Sequence, residues 1–168
     1  MRKVMDTERE ATDTYAADAK TEFDLMRAAF LNVFGKSPLE YKEEYINENL
    51  NSSWAREVYQ IHDMSITLLA APSEEPEKRR ANTSDTFAFF MNRLQVENKS
   101  NILLITSQIY VPYQQLEAVR MLGIPYKHSL ETIGFPNEWS ASLHGLQKPE
   151  NYLQEIRSVL QSAGRLII

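Results

Sequence analysis

The sequence predicts a single α/β domain over residues 1–168, a three-layer α/β/α arrangement with a short, mainly parallel sheet and extra N-terminal helices. Three observations carry this. Residues 102–106, ILLIT, are apolar at both parities, as a parallel strand covered on both faces requires. Two other strand-like runs, 65–71 and 126–133, lie on either side of it in the chain, and helical stripes separate the three. Strand, helix, strand, helix, strand with short links implies right-handed crossovers and a parallel sheet.

In chain order, residues 1–20 are polar and weakly patterned, and read as residual helix or a loose arm. A helix starts with Thr21 as N-cap and Asp24 three residues on, carries Phe23, Met26, Phe30 and Val33 at helical spacing, and stops at Gly35. Ser37-Pro38-Leu39-Glu40 reads as the cap and first turn of a second helix running to about Asn47. Trp54, Val58 and Ile61 suggest a third. The strand 65–71 then ends at Pro72. Residues 72–81 form a loop longer than the roughly 2–6 residues usual in α/β units, which points to function at that strand end.

The next helix has Asn82 or Thr83 as cap and a stripe of Phe87, Phe90, Met91 and Leu94. After the central strand, Pro112 opens a helix that should stop at Gly123. Residues 126–133 alternate as a strand with one wet face. A loop over 134–148 holds Trp139 and His144, a last helix spans about 149–163, and 165–168 read as a short strand or docked tail.

Composition narrows the function classes. A net charge of −5, from 18 basic against 23 acidic residues, lacks the basic face that nucleic-acid binding needs. The absence of cysteine removes disulfides, thiolate zinc sites and a thiol nucleophile. No apolar run approaches the roughly 20 residues of a membrane span, and the start is not a signal peptide, so a cytoplasmic protein is expected. His62, His128 and His144 have no ligand spacing, so no metal site is expected. There is no G-x-S-x-G, G-x-G-x-x-G or Walker A motif.

Two constellations remain. In the first, Arg79 and Arg80 precede a helix start at Asn82 and Thr83, and Asp85 follows. One reading is a phosphate or carboxylate pocket. The other is capping, with Asp85 in the first helical turn and the arginines paired to Glu74, Glu75 and Glu77. The second constellation is Thr106, Ser107, Gln108, Tyr110 and Tyr113, just past the central strand, where α/β proteins place ligands. It reads as a hydroxyl- and amide-lined pocket with tyrosine stacking, or as a strand-end turn with surface aromatics. Both clusters are expected beside each other at the carboxyl edge of one sheet.

The segments RANTSDT (80–86) and ILLITS (102–107) resemble the SanA/YdcF-like family, a bacterial group whose members show S/A-x-N-T-x-E-N-A, a helix, then an apolar strand ending in T-S. The likeness covers residues 79–134, about a third of the chain. It implies a Rossmann-like fold, a site at Asn82, Thr83, Asp85, Thr106 and Ser107, a nucleotide-like ligand such as S-adenosylmethionine, and a link to the cell envelope. Tyr110 and Tyr113 stand where the family has histidine and arginine, and Thr86 where it has asparagine. No apolar strand with a glycine-rich loop precedes Thr21, so the expectation is either a branch that binds a less charged ligand or a chain lacking that first unit, and in the second case a homodimer covering the open sheet.

The expected function is binding of a nucleotide-like or other small anionic ligand, by a transferase or hydrolase. Arg79 or Arg80 and the Asn82-Thr83 helix start would hold the anion. Thr106, Ser107, Gln108, Tyr110 and Tyr113 would orient the rest, and Asp85 would act as general base. The alternative is a non-catalytic binding or interaction module.

Overall fold

A computed structural model of the chain describes residues 1–6, 8, 10, 16–35, 38–94, 96–136, 138 and 147–167. Among the described residues the fold is mixed α/β, with four main helices and two small sheets. The chain packs as two compact units, Met1–Phe90 and Met91–Ile168.

The first unit is a three-stranded antiparallel meander with a helix on one face. Helix α1 spans Glu22–Phe34, capped by a reciprocal Thr21/Asp24 box and ended by Gly35 at φ 71°. Strands β1 (Leu39–Tyr45), β2 (Trp54–Ile61) and β3 (Met64–Ala70) follow in spatial order β1-β2-β3. Inward from β2 and β3 come Ala55, Tyr59, Leu68 and Ala70, which meet Phe23 and Phe30 of α1, and Met1. Burial of each large apolar side chain contributes about 1.5–3 kcal/mol. Residues 1–20 are no loose arm where described: Lys3 bridges Thr21, and Val4 is buried with Ala16 and Ala19.

Two expected helices are strands. The 37–47 segment alternates Leu39, Tyr41, Glu43 and Tyr45 against Glu40, Lys42 and Glu44, a period of two that a helix cannot use. Charges on both faces suit this edge strand, which is exposed along nearly its whole length. In β2, Ala55, Glu57 and Tyr59 point to one face, and β-branched and aromatic residues favour the strand. The two-residue turn His62-Asp63 joins β2 to β3, with His62 at φ 51°.

Helix α2 (Thr83–Leu94) carries the unit boundary. In the second unit, β4 (Asn101–Ser107) pairs in parallel with β5 (Ser129–Phe135), so the central strand has one described neighbour and not two. Its inner face packs on α3 (Val111–Ala118), while Leu103, Ile105 and Ile133 stay exposed on the outer face. A mainly parallel sheet joining the three expected strands is absent among the described residues: β3 belongs to the antiparallel sheet.

Helix α3 does not stop at Gly123. It widens into a π turn, Val119–Gly123, and ends after Ile124–Tyr126, with Lys127 left-handed at φ 59°. Pro125, which has no N–H to donate, sits just past the wide turn. Helix α4 (Pro149–Ile167) likewise runs through Gly164, and the tail expected at 165–168 is helical through Ile167. An interior glycine costs a helix only about 1 kcal/mol, and packing offsets it here. Ser162, fully buried, donates to Glu117 of α3, and Arg165 lies 3.8 Å from the same carboxylate. Ser37, Trp139, His144 and most of the 134–148 loop lie outside the described residues.

Candidate functional site

The first constellation lies wholly in the first unit. Asp85 occupies the third position of α2 and is buried. Its carboxylate accepts from the Asn82 backbone N–H at 2.8 Å, and the Asn82 side chain accepts from the Asp85 N–H at 3.0 Å, a complete capping box. Arg79 grips the same carboxylate through both terminal nitrogens. Burial opposes the charge, but the Arg79 guanidinium and the Asn82 and Glu74 N–H groups outweigh it and hold the Asp85 carboxyl below its usual range. A carboxylate so placed stays ionised and occupied, and lacks the poised affinity for a proton that a general base needs.

Arg79 is equally committed. It binds Asp85 and, at 3.2 Å, Glu75. Arg80 differs. It is exposed and has no ion-pair partner among the described residues. It lines a pocket of about 240 Å³ together with Arg2, Glu22 and Thr86, floored by Leu69 and Ala70 at the end of β3. Arg2 is held by Glu8 and by Glu22 at 2.7 Å. Thr86 donates its hydroxyl to the Asn82 carbonyl. Arg80 is therefore the lining cation with donors to spare.

The second constellation lies in the second unit, on a different sheet. Thr106 and Ser107 end β4, half-buried. Gln108–Tyr110 form a 3-10 turn, and Tyr113 sits in the first turn of α3. The expectation that both clusters share one sheet edge fails, because β3 and β4 belong to separate sheets. Gly134 makes room for Gln108: a Cβ there would lie 2.7 Å from the Gln108 Cα.

Sequence reasoning missed three carboxylates, the buried Glu57 and Glu117 and the half-buried Glu155. Glu57 projects from β2 into the first unit's core, where Arg27 of α1 holds it bidentately at 2.7 and 2.8 Å. The Tyr59 hydroxyl donates to it at 2.7 Å, and burial together with that carboxylate pushes the Tyr59 phenol up to about 12. The alternation of β2 was the available signal, hidden by the helical spacing of Trp54, Val58 and Ile61. Glu155 on α4 is half-buried, but one of its oxygens, Oε2, is shut off from solvent and has no hydrogen-bond partner among the described residues. Among the described residues no three His, Asp or Glu side chains gather as metal ligands, and no helix is long and apolar enough to cross a membrane.

No family model matches the chain, and neither does any solved structure. Uncharacterized proteins of Mycobacterium tuberculosis and Mycobacterium bovis are each 36% identical to it over 174 aligned positions, which take in 99% of this chain and 48% of theirs. The chain thus spans about half the length of the curated relatives it matches.

Proposed function

We propose that the first unit binds a small anionic group, a phosphate or a carboxylate, at Arg80. The observation behind this reading is the contrast between two adjacent arginines. Arg79 is bound to Asp85 and Glu75, whereas Arg80 lines a pocket without an acidic partner among the described residues. Two guanidiniums against one carboxylate leave the lining with a positive balance. The pocket lies at the carboxyl end of β3, ahead of α2, and the resemblance of 80–86 to the SanA/YdcF-like motif supports an anion there.

Magnitudes narrow the ligand. The volume, about 240 Å³, falls short of the roughly 300–1,000 Å³ that encloses a drug-sized molecule. It suits one anionic group, with the remainder of any larger ligand outside. Charge-assisted hydrogen bonds contribute about 1.5–3 kcal/mol each. Two from one guanidinium correspond to a dissociation constant of about 1 mM. The reading is therefore of a binding site, with no catalytic part for Asp85.

Thermal-shift and calorimetric titrations with inorganic phosphate and AMP test it. Saturable binding of both, in the millimolar range and lost in Arg80→Ala, is expected. Absence of saturation, or binding that survives Arg80→Ala, would sink the reading.

A further inference from the structure

We infer that the second unit carries a separate ligand site, an apolar groove that takes a molecule with an apolar body and one cationic head, the head meeting Glu155. Ile109 and Pro112 line one side of the groove, and Ile156, Val159 and Leu160 of α4 line the other. Its volume is about 380 Å³, inside the roughly 300–1,000 Å³ range of pockets that hold small molecules. Such pockets are mostly apolar with a few convergent polar groups. Here those groups are Gln108, Tyr152 and Glu155.

Glu155 sets the chemistry. The buried carboxylates described above each have a guanidinium: Arg27 for Glu57, Arg79 for Asp85, Arg120 for Glu117. Glu155 has neither a cation nor a hydrogen-bond donor for its buried oxygen among the described residues. Desolvation alone acts on it, and raises its carboxyl above the usual range. A carboxylate taken from water without a partner is unfavourable, and buried charges are otherwise paired. A ligand ammonium would supply the missing partner once the Glu155 side chain turns that oxygen into the groove, while the aliphatic walls would take its apolar part. An anion is disfavoured in the same place. Gln108, singled out in the sequence for a ligand, does line it.

Calorimetry on the full chain with n-hexylamine, 1-hexanol and hexanoate at pH 7 tests the assignment. The amine should bind saturably and more tightly than the alcohol, and hexanoate should not bind. Glu155→Gln should weaken the amine about tenfold, as loss of a charge-assisted hydrogen bond predicts, and leave the alcohol unchanged. Val159→Ala, which keeps the carboxylate, should weaken amine and alcohol alike. No saturable binding by the amine, or amine binding unaffected by Glu155→Gln in protein of unaltered circular dichroism, overturns the inference. Arg80 takes no part in it, so it stands or fails apart from the anion site.

Discussion

The two units treat carboxylates that leave water differently. In the first, Glu57 and Asp85 each lie in the grip of an arginine, and the sheet face toward α1 is filled by Phe23, Phe30, Tyr59 and Leu68. In the second, Glu117 has its arginine but Glu155 has none, and Leu103, Ile105 and Ile133 stand exposed on the outer face of a two-stranded sheet. In the first unit Glu57 and Asp85 are paired, which makes the unpaired Arg80 conspicuous. The second leaves one carboxylate oxygen, Oε2 of Glu155, without a partner among the described residues.

The largest effect should come from breaking a pair in the first unit. Arg27→Ala leaves Glu57 buried with only Tyr59 and a distant Lys42, and should cost about 3 kcal/mol in urea denaturation. The double variant Arg27→Met/Glu57→Leu should recover most of it, because no charge is then stranded. Equal losses in the single and double variants would show that packing, and not the pair, holds this unit.

Next in size is Asp85→Ala. It removes the capping box and leaves Arg79 with Glu75 alone, for a loss of about 2 kcal/mol by the same measurement. Gly134→Ala should follow at about 1–3 kcal/mol, since the added methyl must displace the Gln108 backbone. A drop in n-hexylamine affinity in that variant would tie Gln108 to the groove.

Acid should separate the two units by sign. Asp24, Glu57 and Asp85 are held below their usual values, Asp24 by the Thr21 hydroxyl and backbone groups against burial, the other two by their arginines. Their stabilisation is present above the unfolded carboxyl range and is lost as pH falls below about 4. Glu155 is raised by burial, so its destabilising charge is absent below the unfolded value of about 4.5 and grows as pH rises through the folded one. Glu155→Gln should therefore raise the melting temperature at pH 7 and change it little at pH 4. The smallest effect is expected from Ile105→Lys on the outer sheet face, within about 0.5 kcal/mol of wild type. A loss of 2 kcal/mol or more would show that the face is covered in solution.

Helix α1 was legible from sequence to the residue, because its capping box and Gly35 are local signals whose chemistry does not depend on distant partners. The strand at 101–107 was equally plain from its apolar run. β1 and β2 were not: Ser37-Pro38-Leu39-Glu40 mimics a helix start, and only pairing across the hairpin decides between periods of two and 3.6. At Asn82 and Asp85, of the two readings the sequence left open, capping is the one whose hydrogen bonds the structure shows. Arg79 and Arg80 are indistinguishable in sequence, yet one closes on Asp85 while the other faces a pocket.

What the sequence determined by itself is therefore the mixed α/β class, the capped helices, and the two stretches worth inspecting, at 79–85 and 106–113. Caps, turns and apolar runs act within a few residues, so they can be read along the chain. The tertiary structure alone decided that these stretches sit on separate sheets, which arginine is committed, and that Oε2 of Glu155 is shut from water without a partner among the described residues. Burial and ion pairing depend on residues far apart in sequence, such as Arg27 and Glu57, and no local pattern encodes which of several like charges will meet.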